Sequence, residues 1–194
     1  MSTMINIKKS ILFFLCIILS LRMVYAQSIG IKSNVLQDMT TTLNLGLEFS
    51  ISRKASIDIP INYNPWNFND GKRFKSLGVQ PELRYWLCQK FNGHFVGIHS
   101  HYSLFNIGNL PFKLAGNNLR ESRYEGYLYG AGLSYGYQWA LNKRWGIELT
   151  AGLGYARVEY KKYPCGNCGS VLKKSHKNYY GPTKAGLSLI YLIK

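Results

Sequence analysis

Period-two alternation of apolar and polar residues recurs along most of this chain. It limits the fold to strands whose two faces meet different surroundings. In segment 125–139 one face reads Tyr127, Tyr129, Ala131, Leu133, Tyr135, Tyr137 and Trp139, and the other Gly126, Leu128, Gly130, Gly132, Ser134, Gly136 and Gln138. Aromatics at both ends with smaller apolar residues between them are what a lipid-facing strand carries. Segment 145–156 repeats the pattern, from Trp145 to Tyr155 on one face. Segments 43–51, 56–63, 79–87, 96–104 and 184–193 alternate in the same way, and 29–36 supplies a shorter first strand with Lys32 and Asn34 on its polar face. The total is eight, an even number, as bacterial single-chain barrels have. The expectation is therefore an all-β, eight-stranded antiparallel up-and-down transmembrane β-barrel of the outer-membrane type.

The connections point the same way. Turns 52–54, 88–93 and 140–143 are short, whereas 64–76, 107–124 and 161–178 are long. Short turns on one rim and long loops on the other are the outer-membrane pattern, the long loops lying outside. A soluble barrel with a ligand cavity is the competing reading. It would turn the apolar faces inward and leave faces rich in glycine and serine to meet water.

The amino terminus reads as an export signal. Lys8 and Lys9 precede an apolar run from Ile11 to Leu21, and Val24-Tyr25-Ala26 offers a small-residue cleavage site. The run is too short for a spanning helix, which needs ~20 residues. Residues 1–26 are thus expected to be a cleaved signal peptide, and 27–194 one barrel domain. The leader carries Lys8, Lys9 and Arg22 and no acid, so the formal charge of +15 falls to +12 in the mature chain. A basic surface facing anionic lipid, lipopolysaccharide or glycan fits an exported chain, and nucleic acid does not.

An eight-stranded barrel is only wide enough for side chains to fill. The inward set holds Lys32, Arg84 and Lys184 against Glu48, Asp58, Glu82 and Glu148. Buried charges persist when paired, so these seven are expected to form an ion-pair network that closes the bore. A narrow ion channel is an alternative. His101-x-Ser103 is similar to the His-x-Ser pair of lipid A deacylases, which are also eight-stranded barrels, so a lipid-modifying acyl hydrolase is a second alternative. Such chemistry needs a group that orients the base. The nearest carboxylates in sequence, Glu121 and Glu125, lie past a long loop.

Cys165-Gly166-Asn167-Cys168 sits among Lys161, Lys162, Lys173, Lys174 and Lys177 in the last long connection. In an oxidising envelope this spacing is read as a local disulfide pinning a basic surface loop, with redox or metal roles as the alternatives. Cys88 is the odd thiol, and its parity places it inward and buried. No cofactor, metal or catalytic residue is assigned.

Thr40-Thr41-Thr42-Leu43-Asn44-Leu45-Gly46, Tyr63-Asn64-Pro65-Trp66, Val79-Gln80-Pro81-Glu82-Leu83-Arg84-Tyr85-Trp86 and Gly181-Pro182-Thr183-Lys184-Ala185-Gly186, with Phe91-Asn92-Gly93-His94-Phe95 and the basic Cys-x-x-Cys segment, resemble a Bacteroidetes family of small exported barrel proteins. That family is a domain of unknown function, DUF3575. The resemblance implies an outer-membrane or envelope location and no established activity. It also suggests a non-enzymatic structural or interaction role at the cell surface, accessory to fimbrial or surface-adhesin assembly, with a surface protein or anionic glycan as partner. The chain departs from the common barrel pattern in ending on Tyr191-Leu192-Ile193-Lys194 rather than on an aromatic residue.

Overall fold

The computed structural model describes residues 29–66, 73–108, 113–114, 117–118, 123–164 and 170–193. The expected signal peptide, 1–26, lies outside the described residues, as does the expected disulfide of Cys165 and Cys168. In chain order the elements are β1 (Ile29–Asn34), the short helix α1 (Val35–Asp38), β2 (Leu43–Ser50), β3 (Ala55–Asn64), β4 (Arg73–Val79), β5 (Glu82–Trp86), β6 (Gly93–Gly108), β7 (Lys113–Leu114), β8 (Asn117–Asn118), β9 (Arg123–Ala140), β10 (Trp145–Tyr163) and β11 (Lys173–Ile193). β7 and β8 pair with each other, antiparallel, as a separate two-stranded sheet.

The remaining strands make one sheet in which every neighbour is antiparallel, and β11 pairs back onto β1 with Ile29 opposite Ile193. β4 and β5 are two halves of a single stave, both lying between β3 and β6, so the closed barrel has eight staves. The break falls at Pro81, which has no N–H for the ladder. Gln80 N still donates to Pro60 O (3.1 Å), and Pro81 O accepts from Ser100 N (3.0 Å), so the stave is bent but not severed. Closure removes the unpaired edges that an open sheet of this length would expose.

The two faces divide as the alternation requires, with the apolar side out. Leu133 (65 %), Leu153 (66 %) and Ile98 (62 %) are among the most exposed side chains, whereas Glu48, Glu82, Arg84, His99 and Glu148 are buried. This is the reverse of a barrel that folds around an apolar core. The short-turn end is plugged by Trp86, Phe91 and Phe95, with Leu192 against them. At the opposite end Ile107 and Tyr124 are buried beneath Phe74, Phe105 and Tyr160.

Strand ends differ from the sequence expectation, and with them the setting of several side chains. The first strand stops at Asn34, whose side chain accepts a hydrogen bond from Leu36 N (3.1 Å) and caps α1, so Val35 and Leu36 are helical. β4, β6, β9, β10 and β11 overrun their apolar segments, so that strand replaces parts of the expected loops 64–76, 107–124 and 161–178: β4 begins at Arg73, β6 runs to Gly108, β9 begins at Arg123, β10 runs to Tyr163 and β11 begins at Lys173. Pairing continues past the point where both faces become polar, and there the alternation that marks a strand fades. Lys161, Lys162, Lys173, Lys174 and Lys177 therefore stand on paired strands and not on a loop. Lys161 faces Lys174, and Lys162 faces Lys173. Cys88 is exposed rather than buried. It follows the end of β5 into the turn that closes on the Gln89–Asn92 bridge, where strand parity no longer aims a side chain inward.

Glycine matters most where β9 passes β10. A Cβ on Gly130 would stand 2.0 Å from Tyr155 O and 2.7 Å from the His101 ring. Because backbone must shift to admit it, Gly130→Ala is expected to cost about 1–3 kcal/mol, the range for overpacking. A denaturant titration of the refolded barrel would measure this, and an unchanged midpoint would show that the wall yields freely there.

Candidate functional site in the barrel lumen

Register places three acids in one row across neighbouring strands: Glu48 faces Asp58, and Asp58 faces Glu82. Like charges directly opposite one another repel, so such a row needs cations laid on it. Arg84, two residues from Glu82 on β5, supplies the first. Its Nε reaches Glu82 Oε2 (2.5 Å), its Nη1 reaches Glu48 Oε2 (3.1 Å) and Glu148 Oε2 (2.8 Å), and its Nη2 reaches Glu148 Oε1 (3.0 Å) and Asp58 Oδ2 (2.8 Å). One guanidinium thus engages four carboxylates, a use of its planar five-donor fork that lysine could not copy.

Lys32 from β1 contacts Glu48, and its Nζ lies 2.8 Å from Glu148 Oε2 and 3.9 Å from Asp58 Oδ2. Lys184 from β11 reaches Glu82 Oε2 (2.7 Å) and Asp58 Oδ2 (3.9 Å). All seven charged residues named from the sequence, Lys32, Glu48, Asp58, Glu82, Arg84, Glu148 and Lys184, meet in one cluster. They come from β1, β2, β3, β5, β10 and β11, so the cluster ties most of the staves together.

Neutral donors complete it. Ser56 Oγ donates to Glu48, Ser134 Oγ to Glu82, and Thr150 Oγ1 to Glu148 Oε1 (2.8 Å). Trp86 Nε1 donates to Ser56 Oγ (2.9 Å), which links the charges to the aromatic plug, and the Arg84 guanidinium lies 4.4 Å from the centre of the Phe95 ring. The serines, Thr150 and Trp86 were not singled out from the sequence. Their inward parity was readable, but their partners depend on register. Among the described residues no three His, Cys, Asp or Glu side chains are placed to hold a metal ion, and Arg84 occupies the space between the carboxylates.

Above the charges the lumen is polar. A chamber of about 100 Å³ is bounded by Asn34, Asn44, Asn62, Gln80, Thr183 and Lys184 together with the cluster itself. His99 Nε2 shares a hydrogen bond with Thr183 Oγ1 (2.9 Å), and the His99 and His101 rings lie 5.9 Å apart. Ser103 Oγ donates to Leu104 O at 3.4 Å, a long bond directed at the backbone rather than at His101. Asp58 Oδ1 and Asn62 Oδ1, on the chamber wall, and Nδ1 of both histidines are buried without a hydrogen-bond partner among the described residues.

The arrangement can lock the wall and block passage. Its charged waist and aromatic floor are expected to prevent any large, steady conductance in a planar bilayer. A stable open channel in such a recording would contradict a closed lumen.

Comparison with known proteins adds the family and no more. No curated protein and no solved structure matches the chain. Residues 11–193 match the profile of a family described as a protein of unknown function (DUF3575), and the chain belongs to that family.

Proposed function

We propose that this DUF3575 member is an outer-membrane β-barrel, exported by a cleaved signal peptide, that serves as a non-enzymatic structural or interaction protein at the cell surface. The observation that carries the reading is the inverted barrel, with its charges inside and an apolar belt outside. Two aromatic girdles bound that belt. Near the short turns Tyr137 packs at a tilt against Trp139 and Trp145 meets Tyr191 edge-on, their ring centres 4.6 and 5.0 Å apart. Toward the other rim Tyr102, Tyr127 and Tyr129 form a chain of rings, and Tyr155 lies 5.0 Å from Tyr180.

On β10 the girdle members Trp145 and Tyr155 are ten residue steps apart. At about 3.4 Å per residue and a tilt of ~35–45°, that spans roughly 24–28 Å, close to the ~25 Å apolar band of transmembrane barrels. Ile29 and Ile193, where β1 and β11 pair, lie on the short-turn rim, which in this reading faces the periplasm. The lysine-bearing ends of β10 and β11 then face the exterior, beside lipopolysaccharide and within reach of an anionic glycan or surface protein. An accessory role in fimbrial or surface-adhesin assembly is the finer form of the same reading.

The test is to refold the full mature chain with phosphatidylcholine vesicles, float them on a gradient, and compare gel mobility before and after boiling. Co-flotation with a heat-dependent mobility shift is expected. Recovery in the soluble fraction with no shift would overturn the membrane reading.

A further inference from the structure

The outer face from the upper aromatic girdle outward carries a second feature. Tyr63, Leu77, Leu104, Tyr127 and Glu159 face one another in turn across β3, β4, β6, β9 and β10. Two residues further along β4, β6, β9 and β10, and so on the same face, a second row runs Lys75, Asn106, Glu125 and Lys161, and continues to Lys174 on β11. A cavity of about 670 Å³ lies between the two rows. Because both rows point outward, it is a lateral trough on the barrel wall, with a mostly apolar lower lip and a largely cationic upper lip.

The charges along it are unevenly matched. Glu159 is already engaged, accepting from Tyr127 OH (2.6 Å) and lying 3.2 Å from Arg157 Nε. The Tyr127 hydrogen bond, with Arg157 beside it, holds the Glu159 carboxyl below its usual range. Glu125 leans toward Arg123 (3.7 Å). Lys75, Lys161 and Lys174 make no ion pair with any described carboxylate, and Lys161 and Lys174 face each other across the ladder. Facing lysines at about 5 Å between Cβ atoms repel in isolation. An anionic group between them removes that penalty.

We infer that this trough binds the phosphate headgroup of an outer-leaflet lipid at its β9–β11 end, Lys161 and Lys174 gripping the phosphate, while Tyr127 and Leu104 on the neighbouring staves meet the start of an acyl chain. The inference rests on the membrane reading above. Its chemistry is that of basic side chains set at the boundary between aromatic belt and water, where lipid phosphates lie and where each lysine adds to surface attraction. The apolar lip distinguishes a lipid from a free anion, because an inorganic phosphate would leave that lip unused.

The test uses the full mature chain folded in dodecylmaltoside and native mass spectrometry, with phosphatidic acid and phosphatidylcholine of matched chains offered together. Retention of phosphatidic acid over phosphatidylcholine by about tenfold is expected, the scale of one or two lysines at a lipid surface. The double variant Lys161→Ala/Lys174→Ala should bring the two lipids near parity, while Lys143→Ala at the opposite rim should leave the preference intact. Every protein is first checked for the heat-dependent shift and for vesicle flotation. A wild-type barrel that floats and shifts yet prefers neither lipid, or whose preference survives the double variant, overturns the trough and leaves the membrane reading standing. Displacement of the lipid by millimolar inorganic phosphate alone would likewise overturn it, in favour of a simple anion site. Failure to float at all overturns both.

Discussion

Arg84→Ala is expected to destabilise the barrel by about 3–5 kcal/mol, the cost of leaving buried charge without its partner. The guanidinium is fully enclosed, and it engages Glu48, Asp58, Glu82 and Glu148 at once. Without it, Lys32 and Lys184 face four carboxylates, three of them in a single cross-strand row. Arg84→Lys should recover only part of the loss, because a point charge cannot satisfy four acceptors from one position. Adding Glu148→Gln to Arg84→Ala should also recover part, since it removes one of the orphaned charges. Urea titration of the refolded protein, followed by the loss of the heat-shifted band, measures all three. Equal midpoints for wild type and Arg84→Ala would mean that the cluster does not hold the wall.

Leu133→Arg is expected to cost about 2–4 kcal/mol in a bilayer, the range for a cation at the midplane on the lipid face of a barrel. Leu133 sits mid-belt between Ile98 on β6 and Leu153 on β10, each of them more than 60 % exposed. Tyr127→Arg, on the same strand but near the upper interface, should cost only about 0–1 kcal/mol by the same depth dependence. In a water-soluble barrel Leu133→Arg would be an ordinary surface change, within about ±0.5 kcal/mol. The two readings therefore differ by several-fold at one position. Folding yield and urea midpoint in phosphatidylcholine vesicles separate them, and a neutral Leu133→Arg would argue against lipid contact.

These two substitutions also mark what the sequence alone can carry. Leu133 needed nothing but alternation, because a strand's period of two assigns every side chain to a face once one is known. The inward placement of Arg84 followed in the same way, as did that of the other six members of the charge cluster. That they would meet was an inference from the narrowness of an eight-stranded bore. Which atoms meet was not legible. The row of Glu48, Asp58 and Glu82 exists because β2, β3 and β5 pair in one register, and a slip of two residues would keep every face and dissolve the row.

The places where expectation failed share a cause. Cys88 and Val35–Leu36 lie where a strand has just ended, and parity has no meaning once the backbone turns. The lysines of β10 and β11 lie where a strand continues without its apolar face, so no hydrophobic signal remains to mark it. Sequence by itself determined that this chain makes eight two-faced staves with apolar and charged sides, since burial in any medium acts on that pattern directly. Only the tertiary structure decided which charges touch, how far the strands run beyond the belt, and that Lys161 stands opposite Lys174. Those are properties of strand register and closure, set by hydrogen bonds between segments distant in the chain.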